Sequence, residues 1–294
     1  MAAKGGHSTN VQKAQELVYQ AKQEENRFTI FSGNQKYEEA GSLYSKAGNQ
    51  YKIAKQFKEA GDTYMLAAAS FQKGKAMHDA ATNWVNAAKV FRKVSAKDAV
   101  RALEHAVSYY SDQGRFSQAA KLQQEIGTVY ENDGDFDRAV PAYQAAGELF
   151  EGENTMSSAN KCFVKVADIY SEQEEYAKAV KLYEKMAENA LDNNLLQWGC
   201  KEYYFKAGLC ILATGDFGEA QRKVEEYCAS DSRLPSSREG KLLIVLTKAC
   251  LDNDLQSYTN ALVEYDAVSP LDKWKTSILL KAKNILKERG DGIL

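Results

Sequence analysis

Asp133-Gly134-Asp135-Phe136-Asp137-Arg138-Ala139-Val140-Pro141-Ala142-Tyr143 reads as a turn, then an apolar residue, an alanine three places on and an aromatic four places after that. Positions i, i+3 and i+7 share one face of an α-helix, so the stretch predicts a helix with one apolar stripe that starts directly after a turn. The same unit stands at Tyr37-Ala40-Tyr44, Phe57-Ala60-Tyr64 and Met77-Ala80-Trp84, and again at Met156-Ala159-Phe163 and Tyr176-Ala179-Tyr183. Within each run, consecutive starts lie 20 residues apart. Weaker copies fill the lattice at Ala96-Ala99-Leu103 and Phe116-Ala119, where Gln123 takes the outer position; Phe217-Ala220-Val224 follows after one blurred unit.

Asp112-Gln113-Gly114 and Gly215-Asp216 supply further turns. Twenty residues hold one helix of about four turns plus a tight turn, so two units make an antiparallel hairpin of about 40 residues, against 34 for a tetratricopeptide unit. Single-striped helices cannot bury their faces alone and must stack on neighbours. The expected fold class is therefore all-α, a TPR-like solenoid of antiparallel helical hairpins with a C-terminal helical cap. Three prolines in 294 residues and little Val/Ile/Thr alternation agree. The chain divides into residues 1–36, an N-terminal helix and apolar loop, residues 37–230, the repeat sheet, and residues 231–294. The last segment opens on the Ser/Pro-rich break at 231–238, followed by helices near 237–251, 255–268 and 271–289.

Charge is balanced, 38 basic against 40 acidic residues, so no overall field holds the chain on nucleic acid or an anionic membrane, and no nucleic-acid partner is expected. The longest apolar run, Leu242 to Leu246, is far short of the roughly 20 residues of a membrane span. The first ten residues lack a secretory apolar region, and a cytoplasmic location is expected. Five cysteines with no C-x-x-C pair, set in helical text, read as buried reduced thiols. Three histidines, no H-E-x-x-H, no zinc spacing, no phosphate-binding glycine loop and no nucleophile elbow give no catalytic constellation, metal site or cofactor. The carboxylates stand among lysines on helix faces.

Four stretches carry a more specific likeness: Tyr109-Tyr110-Ser111-Asp112-Gln113-Gly114-Arg115-Phe116, Ser157-Ser158-Ala159-Asn160-Lys161-Cys162, Lys201-Glu202-Tyr203-Tyr204-Phe205-Lys206-Ala207, and Ser257-Tyr258 followed by Glu264-Tyr265-Asp266. In order and with few gaps, from about residue 10 onward, the chain resembles the SNAP family, soluble NSF attachment proteins, of the alpha rather than the gamma type. The resemblance implies a non-enzymatic adaptor, monomeric when free, that grips the assembled SNARE four-helix bundle and recruits and stimulates the hexameric NSF-type AAA ATPase, so that force comes from the partner.

Three groups of residues follow. Lys121, Lys161 and Lys201 lie 40 apart, the same position of successive hairpins, so they are expected to line one side of the solenoid. The resemblance adds Arg115 and Lys165 and sets all five against acidic SNARE side chains. Phe28, Ile30 and Phe31 fall in a loop after a polar helix. By themselves they read equally as a staple onto the first hairpin or as a shallow membrane contact; the family's apolar loop favours weak peripheral attachment to a membrane surface. The end of the chain carries Asp291, Ile293 and Leu294 past a helix stop, and the resemblance assigns it, with acidic Asp216, Asp252 and Asp254 on neighbouring turns, to the ATPase. The last helix bears Lys273, Lys275, Lys281, Lys283 and Lys287 around an apolar stripe and reads as a cap with a solvated back. Two other readings stay open on the residues alone: a generic TPR-like peptide scaffold or co-chaperone, and an enzyme subunit with a deep pocket.

Overall fold

The computed structural model describes residues 2–28, 34–191, 193 and 196–291, the side chains of 2–8 and 291 excepted. Every regular element among them is helical: α1 (Ala2–Asn26), α2 (Gln35–Ile53), α3 (Phe57–Lys73), α4 (Met77–Phe91), α5 (Ala96–Asp112), α6 (Phe116–Asp133), α7 (Phe136–Gly152), α8 (Met156–Glu172), α9 (Tyr176–Leu191), α10 (Cys200–Thr214), α11 (Phe217–Ser230), α12 (Arg238–Leu251), α13 (Leu255–Asp266) and α14 (Lys273–Asp291), with a 3₁₀ turn at Gln197–Gly199 before α10. The chain forms two compact units, Met1–Ala159 and Asn160–Leu294, with the division inside α8.

The motif sets the helix starts. Phe57, Met77, Ala96, Phe116, Phe136, Met156, Tyr176 and Phe217 are each the first residue of their helix, while the alanine that follows is buried and so is the outer residue, as at Ala60 and Tyr64 or Ala139 and Tyr143, except for the half-buried Gln123. Between helices the chain turns on a single left-handed residue: Lys55, Lys75, Gly114, Gly134, Asn154, Glu174, Gly215 and Asn253 all have φ between 53° and 82°. Three of them are glycines, which adopt that conformation freely; the others accept about 1–2 kcal/mol of strain each.

In the first unit each helix from α1 to α7 packs on the next. Aromatic rings lie on glycines of the preceding helix: a Cβ at Gly48 or Gly127 would stand 2.8 Å from the Tyr64 or Tyr143 ring, and one at Gly61 would overlap Phe91. The phenols reach back 15 residues, Tyr64 donating to Asn49 Oδ1 at 2.8 Å and Tyr143 sharing a hydrogen bond with Thr128 at 3.1 Å. Helices two apart are also tied, by Ser45 to Asn83 at 2.6 Å and Lys58 to Asp98 at 3.1 Å, across 38 and 40 residues.

The second unit continues the same grammar around a central helix. Tyr183 donates to Asp168, again 15 residues back, and Lys206 pairs with Asp168 at 2.6 Å across 38. Helix α10 touches α9, α11, α12 and α14, and buries Tyr204, Phe205 and every residue from Ala207 to Ala213. A helix packed against four neighbours, with an unbroken buried run from Ala207 to Ala213, needs no single stripe, which is why this unit reads as blurred. Helix α14 is held along its length: Trp274 Nε1 donates to Ser171 Oγ at 2.6 Å, Tyr258 OH to Leu279 O at 2.9 Å, and Lys275 and Lys281 pair with Glu202 and Glu174 at 3.0 and 2.7 Å.

Helix propensity and packing oppose each other at Gly61. The gain of about 1 kcal/mol for alanine in a helix is outweighed by about 1–3 kcal/mol of overpacking against buried Phe91, so Gly61→Ala should lower the urea midpoint. Gly152→Ala, where a Cβ meets nothing within 4 Å, should raise stability by about 0.5 kcal/mol.

Candidate functional site

The basic residues divide between the units. In the first, Arg115 precedes α6 with its guanidinium 5.3 Å from the Tyr110 ring, and both Arg115 and Lys121 are exposed. In the second, Lys161 and Lys165 stand one turn apart on the exposed side of α8. Lys201, in the first turn of α10, is half exposed and pairs with Glu239 at 3.2 Å. Tyr203 of α10 reaches Asn160, so Lys161 and Lys201, equivalent in sequence, lie on adjoining helices. Lys206 looks equally suitable in sequence, but its side chain is 12% exposed, and its ammonium is bound to Asp168 and lies 4.5 Å from the Trp274 ring. It locks the core.

Phe28 follows α1 and is 87% exposed, so it is not a staple on the first hairpin. Arg27 beside it bonds Glu24 at 2.9 Å and Glu39 at 3.4 Å, and Lys36 donates to Arg27 O at 3.2 Å. Burial, then a hydrogen bond with Glu39, raises the Glu24 carboxyl, against the pull of Arg27. The apolar loop therefore leaves from a pinned base. Ile30 and Phe31 lie outside the described residues.

The acidic candidates gather at one end of the second unit. Asp216 caps α11, accepting from Glu219 N at 2.9 Å; Asp254 caps α13, accepting from Ser257 N at 2.9 Å, and its bonds from Ser257 hold its carboxyl below the usual range. Asp252 ends α12, exposed, on the wall of a groove of 620 Å³ floored by Val224, Cys228, Ile244 and Leu251. Arg289 Nη2 donates to Gly215 O at 2.5 Å and its guanidinium lies 4.4 Å over Phe217, while Gly290 faces Asn253. Arg289 thus brings the end of α14 between the two acidic turns. Sequence reasoning passed over it; its one signal is a cation in a last helical turn, placed to bind a carbonyl. The Asp291 side chain, Ile293 and Leu294 lie outside the described residues.

Burial pushes the thiols of Cys162, Cys200 and Cys250 up to about 11, 12 and 12, far from the thiolate of a nucleophile. Cys228 is only half-buried, at the edge of the groove, unlike the four buried cysteines. Among the described residues no group of three His, Cys, Asp or Glu is placed to hold a metal ion, and no helix is long and apolar enough to cross a membrane.

A family model described as soluble NSF attachment protein, SNAP, matches residues 11–287. An alpha-soluble NSF attachment protein of Dictyostelium discoideum is 42% identical, covering 92% of this chain and 93% of its own. The alpha-soluble NSF attachment protein of Vitis vinifera is 34% identical over 95% and 96% of the two chains. The vesicular-fusion protein SEC17 of Coprinopsis cinerea is 39% identical over 87% and 89%.

Capping and charge can be separated at the acidic end, because asparagine caps a helix as well as aspartate does. Asp216→Ala should cost about 1 kcal/mol, read as a lowered melting temperature, and Asp216→Asn should leave it unchanged. Any loss of function in the asparagine variant then measures charge alone.

Proposed function

The chain belongs to the SNAP family of soluble NSF attachment proteins, and on that premise we propose how its surfaces divide the work of an adaptor in vesicle fusion. It is not itself an enzyme; its relatives are named for attaching NSF and for vesicular fusion. Arg115, Lys121, Lys161, Lys165 and Lys201 receive the acidic side of an assembled SNARE four-helix bundle. The Phe28 loop touches the membrane surface, attaching a cytoplasmic protein peripherally. The end of α14, with Asp216, Asp252, Asp254, Asp291, Ile293 and Leu294, faces the NSF-type ATPase hexamer. Residues 1–36 and 37–230 serve as the membrane and bundle segments, and 231–294, joined by Asp216 from the last repeat, as the ATPase segment of a chain that is monomeric when free.

The observation that carries the bundle assignment is the exposure of Lys161 and Lys165 on α8 beside Lys201 on the adjoining α10. Lys161, exposed, and Lys201, half exposed, hold the same position of helices two apart, and in this reading they present one face of the second unit to the bundle. A helical bundle with acidic sides matches such a row better than an extended peptide does, and the family sets the peptide-scaffold reading aside.

The double variant Lys121→Glu, Lys161→Glu should weaken binding of a soluble SNARE bundle at least tenfold, about 1.4 kcal/mol. Its melting temperature should barely move, because exposed charges add little to stability, and wild-type binding should fall as salt rises. Unchanged affinity at low salt would falsify the assignment. Changing Phe28, Ile30 and Phe31 together to serine should slow disassembly of membrane-anchored SNARE complexes and spare soluble ones; equal loss on both substrates returns the loop to a structural role.

A further inference from the structure

Trp198 is 73% exposed, and a fixed cation stands beside it. It lies in the 3₁₀ turn ahead of α10, three residues before Lys201. Arg233, from the connection between α11 and α12, sets its guanidinium 5.9 Å from the ring centre. That guanidinium is fixed on two sides. Nε and Nη2 donate to the two carboxylate oxygens of Asp231 at 2.7 and 3.1 Å, and Nη1 and Nη2 donate to Gln197 Oε1 at 2.7 Å and Gln197 O at 3.3 Å. Asp231 is itself buried, and so is Leu234, whose carbonyl presses so closely on α12 that a Cβ at Gly240 would overlap it. The Ser/Pro-rich break is thus a tied turn that serves as a platform for the tryptophan.

An indole with a fixed guanidinium beside it has fewer open rotamers to lose when a partner covers it, and tryptophan, tyrosine and arginine are the residues most enriched among those that dominate binding energy. The Arg233 charge is met by Asp231. Lys201 follows three residues later at the start of α10, and Lys161 stands next to Asn160, which Tyr203 of α10 reaches. An acidic partner drawn to those lysines is brought to the ring.

We propose that Trp198, braced by Arg233, is an apolar anchor that inserts between acidic positions on the outside of the assembled helical bundle. This rests on the bundle reading above and adds to it: the lysines steer and set register, and the tryptophan slows release.

The other tryptophans, Trp84 and Trp274, are 4% and 9% exposed, so Trp198 can be followed by intrinsic fluorescence with a tryptophan-free soluble SNARE bundle. Wild type should show a blue shift and protection from acrylamide on binding, and Trp198→Phe should show neither. Trp198→Ala should raise the Kd about tenfold, mostly through faster dissociation, with an unchanged melting temperature. Its salt dependence should match wild type, whereas Lys161→Glu should flatten that dependence. If Trp198→Ala binds as wild type while Lys161→Glu weakens binding, the anchor is overturned and the bundle reading stands. If wild type fails to bind the bundle at all, both fall. A shift on phosphatidylserine vesicles alone as large as that with the bundle assigns the ring to a bilayer and overturns the anchor.

Discussion

The seating of an aromatic ring on a small residue of the preceding helix is the constraint on which the rest depends. Tyr64 on Gly48, Phe91 near Gly61 and Tyr143 on Gly127 bring backbones close, and the buried phenols of Tyr64, Tyr143 and Tyr183 each find a partner 15 residues back. An unpaired buried hydroxyl costs about 1–3 kcal/mol, so the bond selects one register of each helix on its neighbour. That register in turn brings helices two apart into contact, where Ser45–Asn83 and Lys206–Asp168 close the hairpin stack. Equivalent surface positions then recur about 40 residues apart.

Much of this is legible before folding. One-sided helices announce themselves by an alanine between two apolar residues, and eight of the stripes begin on the first residue of a helix. Helix α10 does not, because it packs against four neighbours. The turns at Lys55, Lys75 and Glu174 are equally silent, since the left-handed conformation there is taken by residues that do not favour it. The equivalent positions of Lys161 and Lys201 on successive hairpins are legible from their spacing of 40 residues. The pairing of Lys201 with Glu239 is not, nor the second occupation of Asp216 and Asp254 as helix caps, nor the role of Arg289. Each depends on a partner distant in sequence or on a helix boundary fixed only to within a residue or two by pattern. The half-buried Cys228 likewise departs from the expectation of buried thiols because its helix borders an open groove.

At the far end of the second unit the same atoms do two things at once. Asp216 and Asp254 hold the first turns of α11 and α13, and Arg289 closes the C-terminal end of α10 through Gly215. A surface made of caps is rigid by construction. The cap bonds already order the carboxylates of Asp216 and Asp254, which lowers the ordering entropy that an association there must overcome.

The one-residue turns between most helices have a mechanical consequence. A joint formed by a single left-handed residue, with a backbone hydrogen bond on either side such as Asp135 N to Tyr130 O at 2.9 Å, stores no spare contour length. A pull on one helix cannot be absorbed by a loop paying out. Within each unit it passes instead into the close-packed faces between helices, which are stiff against compression. Such a stack behaves as a leaf spring whose compliance is spread thinly over every interface, and it hands torque from leaf to leaf with little lost in slack.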